Sequence, residues 1–300
     1  MVRPVSFSFN EETAVNNAFQ NCSQTKEEAA YVERKAIEEF DRYVSLLKCN
    51  GVEVVVVQDT PIPFTPDSIF PNNCFSTHCE LVNGRNQKVL VIYPMFAPNR
   101  RKERQKLVKV LDKMSYDKVI DLTSWESDGK YLEGTGSLIL DRDNKIAFAC
   151  RSPRTNEDVL NKWAEELNYN FFLFDSEDEN HVPVYHTNVI MHLGTRYAVV
   201  CLESIKDNLQ REKLCQLLES KGKQIVPISL DQMHHFAGNM LEVKNDNNEK
   251  ILVMSQEARL SLNIEQTNLL ENDCKIVSPD IHNIENTGGG SARCMIAELF

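Results

Sequence analysis

One unit of secondary structure recurs along most of this 300-residue chain, and the repeat constrains the fold more than any other feature of the sequence. The unit consists of an apolar strand, a polar turn, a second strand, an amphipathic helix and a third strand. It opens at Asn72, Glu133, His186, Asn239 and Cys294, at intervals of 53 to 61 residues. A period of about fifty residues is typical of an array or a propeller and argues against independent domains.

The unit that opens at Glu133 illustrates the pattern. It predicts strands at Ser137–Leu140 and Ile146–Ala149, a helix with an apolar stripe from Val159 to Leu167, and a third strand at Phe171–Phe174. The same reasoning predicts the strands Cys74–Thr77, Val89–Ile92, Val119–Asp121, Val189–Met191, Tyr197–Leu202, Ile225–Ile228, Met240–Val243, Ile251–Met254 and Lys275–Val277, with an Asn83-Gly84 turn in the first unit.

The fifth unit is divided between the two ends of the chain. Its first strand is predicted at Arg293–Ala297, close to the last residue. Its helix is predicted near the first residue, from a Thr25/Glu28 capping box to Gly51, and is followed by a strand at Val52–Val57. Closing a ring with pieces from both ends would leave no exposed sheet edge.

Composition narrows the range of partners. The formal net charge of −11 and the pI near 5.2 argue against nucleic acid, whose phosphates require clustered cations. The basic run from Arg100 to Lys113 is interpreted as an amphipathic helix with a solvated basic face. No apolar stretch reaches the about 18 residues of a membrane span. With no signal peptide and nine cysteines lacking C-x-x-C spacing, residues 1–300 are expected to form a single cytoplasmic catalytic domain.

Three of the repeat openings carry reactive side chains. In a pseudo-symmetric ring, equivalent opening residues point to the central axis, which would bring Cys294, His186 and Glu133 together. A thiol, an imidazole and a carboxylate are the minimal set for nucleophilic catalysis with a proton shuttle. Taken singly, each residue is more often structural. The hypothesis therefore depends on their shared position in the repeat. The Gly288–Gly290 run before Cys294 is interpreted separately, as backbone that can come close to a ligand or adopt a positive φ.

Five segments resemble the guanidine-modifying superfamily, which includes arginine deiminases, dimethylarginine dimethylaminohydrolases and amidinotransferases, and they look nearest to the citrulline-utilisation hydrolases. These segments are Thr65–Asn73, Leu132–Leu138, Arg151–Thr155, His186–Met191 and Gly288–Met295. They occur in family order from about residue 54 to the end. The resemblance implies a pentein fold, a five-bladed pseudo-symmetric α/β propeller, in agreement with the repeat.

The resemblance also implies roles for five residues. Cys294 would attack the central carbon of the substrate group, and His186 would protonate the leaving nitrogen and then deprotonate water. Glu133 and Asp67 would bind the nitrogens of the guanidino or ureido group, because carboxylates match its fork of N–H donors. Arg154 would bind the substrate α-carboxylate. The mechanism requires no metal and no cofactor, and its small-molecule substrate would be an arginine or citrulline derivative.

Two positions depart from the motifs of relatives. Arginine deiminases carry an Asp two residues after the His, where this chain has Asn188. We hypothesise that a neutral carboxamide weakens binding of a guanidinium cation and suits a ureido oxygen. Asn72 is expected to contact substrate as well, and Cys74 stands where citrulline-type motifs tend to have Trp. The exact substrate is left open by these changes.

Other interpretations are weighed against this one. His234 and His235 lack the spacing of a helical metal pair, and Cys74, His78 and Cys79 offer no fourth zinc ligand, so we interpret the latter three as strand residues. An amidinotransferase, a non-catalytic pentein resembling ribosome anti-association factors, and a Cys-His-Glu peptidase are the alternative functions. A homodimer is an open alternative for the assembly.

Overall fold

The repeated unit predicted from the sequence is present as a set of small sheets. The computed structural model describes residues 1–22, 25–82 and 84–300, without the side chains of Val82 and Lys109. Within those ranges the strands form four three-stranded sheets and one two-stranded sheet. In each three-stranded sheet the second strand is antiparallel to the first and parallel to the third.

The strands are short and follow the predicted order. They are β1 (Val2–Arg3), β2 (Val57–Gln58), β3 (Phe75–Val82), β4 (Arg85–Ile92), β5 (Lys118–Asp121), β6 (Ile139–Asp141), β7 (Ile146–Cys150), β8 (Asn170–Phe174), β9 (Met191–Leu193), β10 (Tyr197–Val200), β11 (Gln224–Pro227), β12 (Leu241–Lys244), β13 (Lys250–Val253) and β14 (Lys275–Val277). The predicted turn between β3 and β4 includes Asn83, which lies outside the described residues.

Helices connect the second and third strands of each unit, and shorter helical turns occur between units. They are α1 (Glu11–Ala14), α2 (Lys26–Cys49), α3 (Pro98–Arg101), α4 (Glu103–Leu111), α5 (Gly134–Ser137), α6 (Glu157–Leu167), α7 (Thr187–Ile190), α8 (Asn208–Ser220), α9 (Leu230–His234), α10 (Gln256–Ser261), α11 (Ile264–Glu271) and α12 (His282–Gly288). No helix in the described ranges is long and apolar enough to cross a membrane.

Helix α6 shows how the sequence forms and buries these connections. Asn156 caps its first turn by accepting the backbone N–H of Asp158, and the helix ends at Asn168 in the left-handed conformation. Its predicted apolar stripe, which includes Val159 and Trp163, is fully buried against the sheet. Burial of an apolar stripe provides most of the stability of a helix this short.

The fifth unit combines both ends of the chain, although its strands are shorter than predicted. The Thr25/Glu28 capping box at the start of α2 is confirmed, and β1 pairs with β2 in parallel, as second and third strands do elsewhere. The predicted strand Val52–Val57 is wrong in extent, because only Val57 belongs to β2. The predicted strand Arg293–Ala297 is wrong: residues 292–295 form a turn, held by the Arg293 guanidinium on the Ile296 carbonyl.

The basic run forms the predicted solvated face only in part: Lys102 and Lys113 are exposed, but Arg100 and Lys106 are paired with buried carboxylates. Arg100, in α3, is 2% exposed, and its guanidinium binds the carboxylate of Glu103 through two N–H groups. Lys106 forms an ion pair of 2.7 Å with the buried Asp59. A buried cation needs an anionic partner. The ion pairs of Arg100 and Lys106 therefore stabilise the packing of the helical connection between β4 and β5. Leu107 is buried, as the helical spacing predicts.

Candidate active site

Glu133 and His186 form a buried hydrogen-bonded pair. Nε2 of His186 lies 2.9 Å from Oε2 of Glu133, and neither residue is more than 2% exposed. The other carboxylate oxygen of Glu133 accepts the backbone N–H of Phe96 at 2.9 Å. These bonds fix the orientation of both side chains, as catalysis by a positioned imidazole requires.

The backbone that presents this pair differs from the prediction. Glu133 and His186 each precede a single helical turn, α5 or α7, and the strands β6 and β9 begin only after it. In α5 the backbone N–H groups of Gly136 and Ser137 both donate to the Glu133 carbonyl. A Cβ on Gly136 would lie 2.8 Å from the His186 ring, so glycine is needed for the close approach.

The electrostatics of the pair favour a neutral imidazole next to an ionised carboxylate. Burial lowers the pKa of His186 to about 4, although the hydrogen bond that His186 donates to Glu133 opposes this change. Burial would raise the pKa of Glu133, but the charge of Arg154 and the bond to His186 hold that pKa well below its usual range. At neutral pH His186 therefore donates Nε2–H to Glu133 and keeps a lone pair on Nδ1.

Cys294 is buried and is contacted by two carboxamides. Nδ2 of Asn188 and Nδ2 of Asn239 each lie 3.3 Å from its sulfur. Cys294 and His186 line one cavity together with Asp67, Arg154 and the Gly288–Gly290 run. The three predicted catalytic groups therefore meet at one place: two line the cavity, and Glu133 is bonded directly to His186.

Several buried polar atoms of the predicted site residues have no hydrogen-bond partner in the part of the chain that the structure describes. Oδ1 of Asp67, Oδ1 of Asn188 and both polar side-chain atoms of Asn72 are buried without a hydrogen bond to any described residue. The second oxygen of Asp67 accepts bonds from Asn10 at 2.8 Å and Thr13 at 3.1 Å. Burial raises the pKa of Asp67, and the charge of Arg100 works against this increase. Unpaired buried acceptors are costly, so they mark positions for the N–H groups of a ligand.

Arg154 is held by several groups at once. Its Nη2 donates to the Thr13 carbonyl at 2.8 Å, and its Nε donates to Oδ1 of Asn16 at 2.8 Å. Its Nη1 lies 3.5 Å from Oε2 of Glu133, and its guanidinium stacks over the Tyr185 ring at 4.9 Å. The guanidinium is thus fixed in a plane beside the cavity.

One whole segment of the site was not predicted from the sequence. Residues 10–20, in the connection between β1 and α2, cross the cavity. Besides the bonds of Asn10 and Thr13 to Asp67, Asn17 donates to the Gly289 carbonyl at 3.3 Å and Gln20 to the Gly288 carbonyl at 3.0 Å. No periodicity or motif marks such a segment, because its partners lie more than 50 positions away in the chain, and those of Asn17 and Gln20 lie more than 250 positions away.

Two further site residues were missed, although each carried a signal. Arg100 lines the cavity and binds Oδ1 of Asn73 at 2.9 Å, yet it was assigned to a solvated helix face. Asn239 stands at a repeat opening, like the three reactive residues, but its amide was not interpreted as part of the site. The rule that repeat openings face the axis would have identified Asn239.

Metal ligation has little support among the described residues. Glu242, Asp273 and Cys274 bring ligand atoms within 4.8 Å of one another. The carboxylate of Asp273, however, is already paired with Arg196 and Lys250. His78 lies in β3 with its ring bonded to other side chains, as expected of a strand residue.

Comparison with known proteins places the chain in a family. The sequence model described as "N,N dimethylarginine dimethylhydrolase, eukaryotic" matches residues 3–300. The chain belongs to this dimethylarginine dimethylhydrolase family. The superfamily predicted from the motifs is thus confirmed, while the finer likeness to citrulline-utilisation hydrolases stays a prediction. No curated protein matches the sequence.

Solved structures of the superfamily share the fold. ArgZ, an arginine dihydrolase from the ornithine-ammonia cycle in Cyanobacteria, matches with a TM-score of 0.74 and 19% identity over 98% of this chain and 39% of its own. Its isolated N-terminal domain, a cysteine-to-serine variant bound to substrate, matches with a TM-score of 0.73 and 18% identity over 98% of this chain and 95% of that domain. A dimethylarginine dimethylaminohydrolase adduct with S-methyl-L-thiocitrulline gives a TM-score of 0.62, with 16% identity and 88% of each chain covered.

These comparisons have two consequences. The pentein fold, a five-bladed α/β propeller, is confirmed, and this chain spans about two-fifths of full-length ArgZ. The dimethylarginine dimethylhydrolase family is one of hydrolases that act on carbon–nitrogen bonds other than peptide bonds. Membership of this family favours a hydrolase over the non-catalytic and peptidase alternatives.

Proposed function

We propose that the protein hydrolyses a C–N bond in the guanidino or ureido group of an arginine-like small molecule, through a covalent intermediate on Cys294. The unpartnered oxygens of Asp67 and Asn188 beside the cavity that Cys294 lines carry this proposal. A planar group with several N–H donors satisfies such acceptors and places its central carbon at the sulfur. A covalently bound reaction intermediate is known for the N-terminal domain of ArgZ.

The proposed reaction has two steps: formation of the covalent intermediate and its hydrolysis. The thiol proton of Cys294 passes to the neutral His186, and the sulfur forms a bond to the central carbon. The C–N bond then breaks as His186 returns the proton to the leaving nitrogen, which departs as ammonia or an amine. Water next gives a proton to His186 and adds to the same carbon, and the C–S bond breaks as the sulfur regains its proton.

Each binding residue has a proposed part. Glu133 and Asp67 bind the substrate nitrogens and stabilise positive charge at the central carbon. Asn188 and Asn72 supply carboxamide oxygens, and Arg154 binds the α-carboxylate at the other end of the substrate. We propose that residues 1–300 act as one catalytic unit, because these side chains come from four different units of the ring and the N-terminal segment covers them.

A product screen tests this function. Arginine, methylarginines, citrulline, agmatine and succinylarginine are incubated with the protein while ammonia, ornithine and citrulline are measured. Cys294→Ala should abolish turnover, and Cys201→Ala, at a buried cysteine of the apolar core, should retain it. Full activity of Cys294→Ala would exclude the mechanism. Transfer of the amidino group to an added amine, in place of release to water, would identify an amidinotransferase.

A further inference from the structure

Asn239 makes three polar contacts within the site although it has no part in the chemistry above. The residue is fully buried at the opening of the fourth unit. Its Nδ2 lies 3.3 Å from the sulfur of Cys294 and donates to the Asn188 carbonyl at 3.0 Å. Its Oδ1 accepts the backbone N–H of Arg293 at 3.0 Å. One carboxamide thus contacts the nucleophile, the backbone just before it and the backbone of a substrate-binding residue.

These contacts join three units of the ring at the nucleophile. Asn188 belongs to the third unit, Asn239 opens the fourth, and Cys294 opens the fifth. The turn at residues 292–295 is not held in a sheet, so no strand pairing fixes the position of the sulfur. Within the turn the Cys294 N–H bonds the Ser291 carbonyl at 2.9 Å, and the Asn239 carboxamide adds contacts to the Arg293 N–H and to the sulfur itself.

The backbone around Asn239 is built for close contact with the third unit. The N–H of Asn239 donates to the Phe236 carbonyl at 2.8 Å, and Phe236 adopts a left-handed conformation with φ of 60°. A Cβ on Gly238 would lie 2.1 Å from the Val189 carbonyl oxygen, a distance that no side chain tolerates. The turn that carries Asn239 is therefore packed directly on the α7 turn that carries Asn188.

We propose that Asn239 is a positioning residue for hydrolysis, holding the Cys294 sulfur and the Asn188 carboxamide in fixed register. The inference rests on the proposed function and adds to the site the fourth unit of the ring, the one that Asn239 opens. Asn239 and Asn188 each direct one N–H group at the sulfur, and these two donors stabilise the thiolate when the proton leaves. The sulfur also faces the cavity, from which the substrate carbon would approach it.

Asn239→Asp tests the role with a side chain of the same shape. A carboxylate still accepts the Arg293 N–H, but it cannot donate to the sulfur or to the Asn188 carbonyl. We expect kcat for the best substrate to fall about 100-fold with KM changed less than about threefold, because a shift of about 1 Å at a reacting atom costs that much. Alkylation of Cys294 by iodoacetamide should slow by about tenfold or more.

The alkylation assay separates this inference from the proposed function, because it needs no substrate. Mass spectrometry of the Cys294 peptide is required, since Cys22, Cys49 and Cys79 are exposed and also react. The matched control is Gln232→Glu, an amide-to-acid change of a nearly buried residue in α9, which should leave alkylation of Cys294 unchanged. Slower alkylation of Cys294 in Asn239→Asp, but not in Gln232→Glu, supports the positioning role, even if no substrate in the screen is turned over.

Two results would overturn the inference. In one, iodoacetamide alkylates Cys294 of the Asn239→Asp variant at the wild-type rate, and the variant loses only thermal stability, as the control does. In the other, kcat stays within about threefold of wild type for a substrate that Cys294→Ala no longer hydrolyses. Either result would show that the three contacts of Asn239 serve folding and not the placement of the sulfur.

Discussion

The imidazole of His186 and the carboxylate of Glu133 share one hydrogen bond of 2.9 Å, buried where the second and third units of the ring meet. The bond assigns the two ring nitrogens different roles: Nε2 is occupied by the carboxylate, and Nδ1 remains able to accept a proton. Burial keeps the imidazole neutral, with its pKa lowered to about 4. His186 is therefore available as a base throughout the neutral range.

Glu133→Gln should move the acidic limb of the pH profile to lower pH. The wild-type limb of kcat/KM is expected near pH 4, where protonation of His186 removes the base. Glu133 raises the pKa of His186, so its neutral replacement should lower that pKa further, and kcat should fall about 100-fold or more. The measurement is kcat/KM from pH 3.5 upward with circular dichroism to confirm folding; a limb that moves to higher pH would contradict the assignment.

Arg154→Lys should reduce the preference for substrates that carry an α-carboxylate. A lysine cannot reproduce the planar pair of N–H donors, and it loses the bonds to Thr13 and Asn16. Because Arg154 also lies near Glu133, kcat should fall for every substrate. The ratio of kcat/KM for arginine to that for agmatine isolates carboxylate binding, and we expect it to fall about tenfold or more. An unchanged ratio would place the carboxylate elsewhere.

Asn188→Asp should favour guanidinium substrates over ureido substrates. The added negative charge would attract a guanidinium cation more strongly than a neutral ureido group. It would also repel the thiolate of Cys294, which lies 3.3 Å from Nδ2 in the wild type, so the absolute rates should fall. We expect the kcat/KM ratio of arginine to citrulline to rise about tenfold. If wild type already turns over arginine far faster than citrulline, the proposed reason for Asn188 is wrong.

Glu285→Gln should remove a pH dependence of stability. Burial raises the pKa of Glu285 to about 7, and Ser291 donates a hydrogen bond to it. The carboxyl therefore keeps its proton in the folded protein up to about pH 7, whereas the unfolded chain releases it above the ordinary value of 4.5. Rising pH across this window destabilises the wild type by at most about 3 kcal/mol, and the Gln variant does not titrate.

Urea denaturation of Glu285→Gln and wild type at pH 5 and pH 8 measures this difference. The free energy of unfolding of the variant, relative to wild type, should be higher at pH 8 than at pH 5. Glu212→Gln, at an exposed residue of α8, serves as the control. A relative stability of Glu285→Gln that is the same at both pH values would show that Glu285 is ionised in the folded protein.

The repeat predicted the fold well because it depends on local patterns. The third strand β14 has the predicted limits, and the capping box at Thr25 starts α2 where expected. The predictions failed where long-range contacts override local propensity. The valine-rich residues 52–56 have strong strand propensity yet form no strand, although the Val55 carbonyl accepts the terminal amine of Met1. Arg100 is buried in spite of its place in a basic run.

The sequence by itself determined the order of strands and helices and the five openings of the repeat, and through the motifs it predicted Cys294, His186 and Glu133 as the reactive set. Spacing of apolar residues and capping groups act over a few positions, so they can be recognised in the chain. Only the tertiary structure decided which atoms touch: the two carboxamides at the sulfur, the free oxygen of Asp67 and the segment at residues 10–20 over the cavity. Those contacts depend on closing the ring, which brings together residues that no local rule relates.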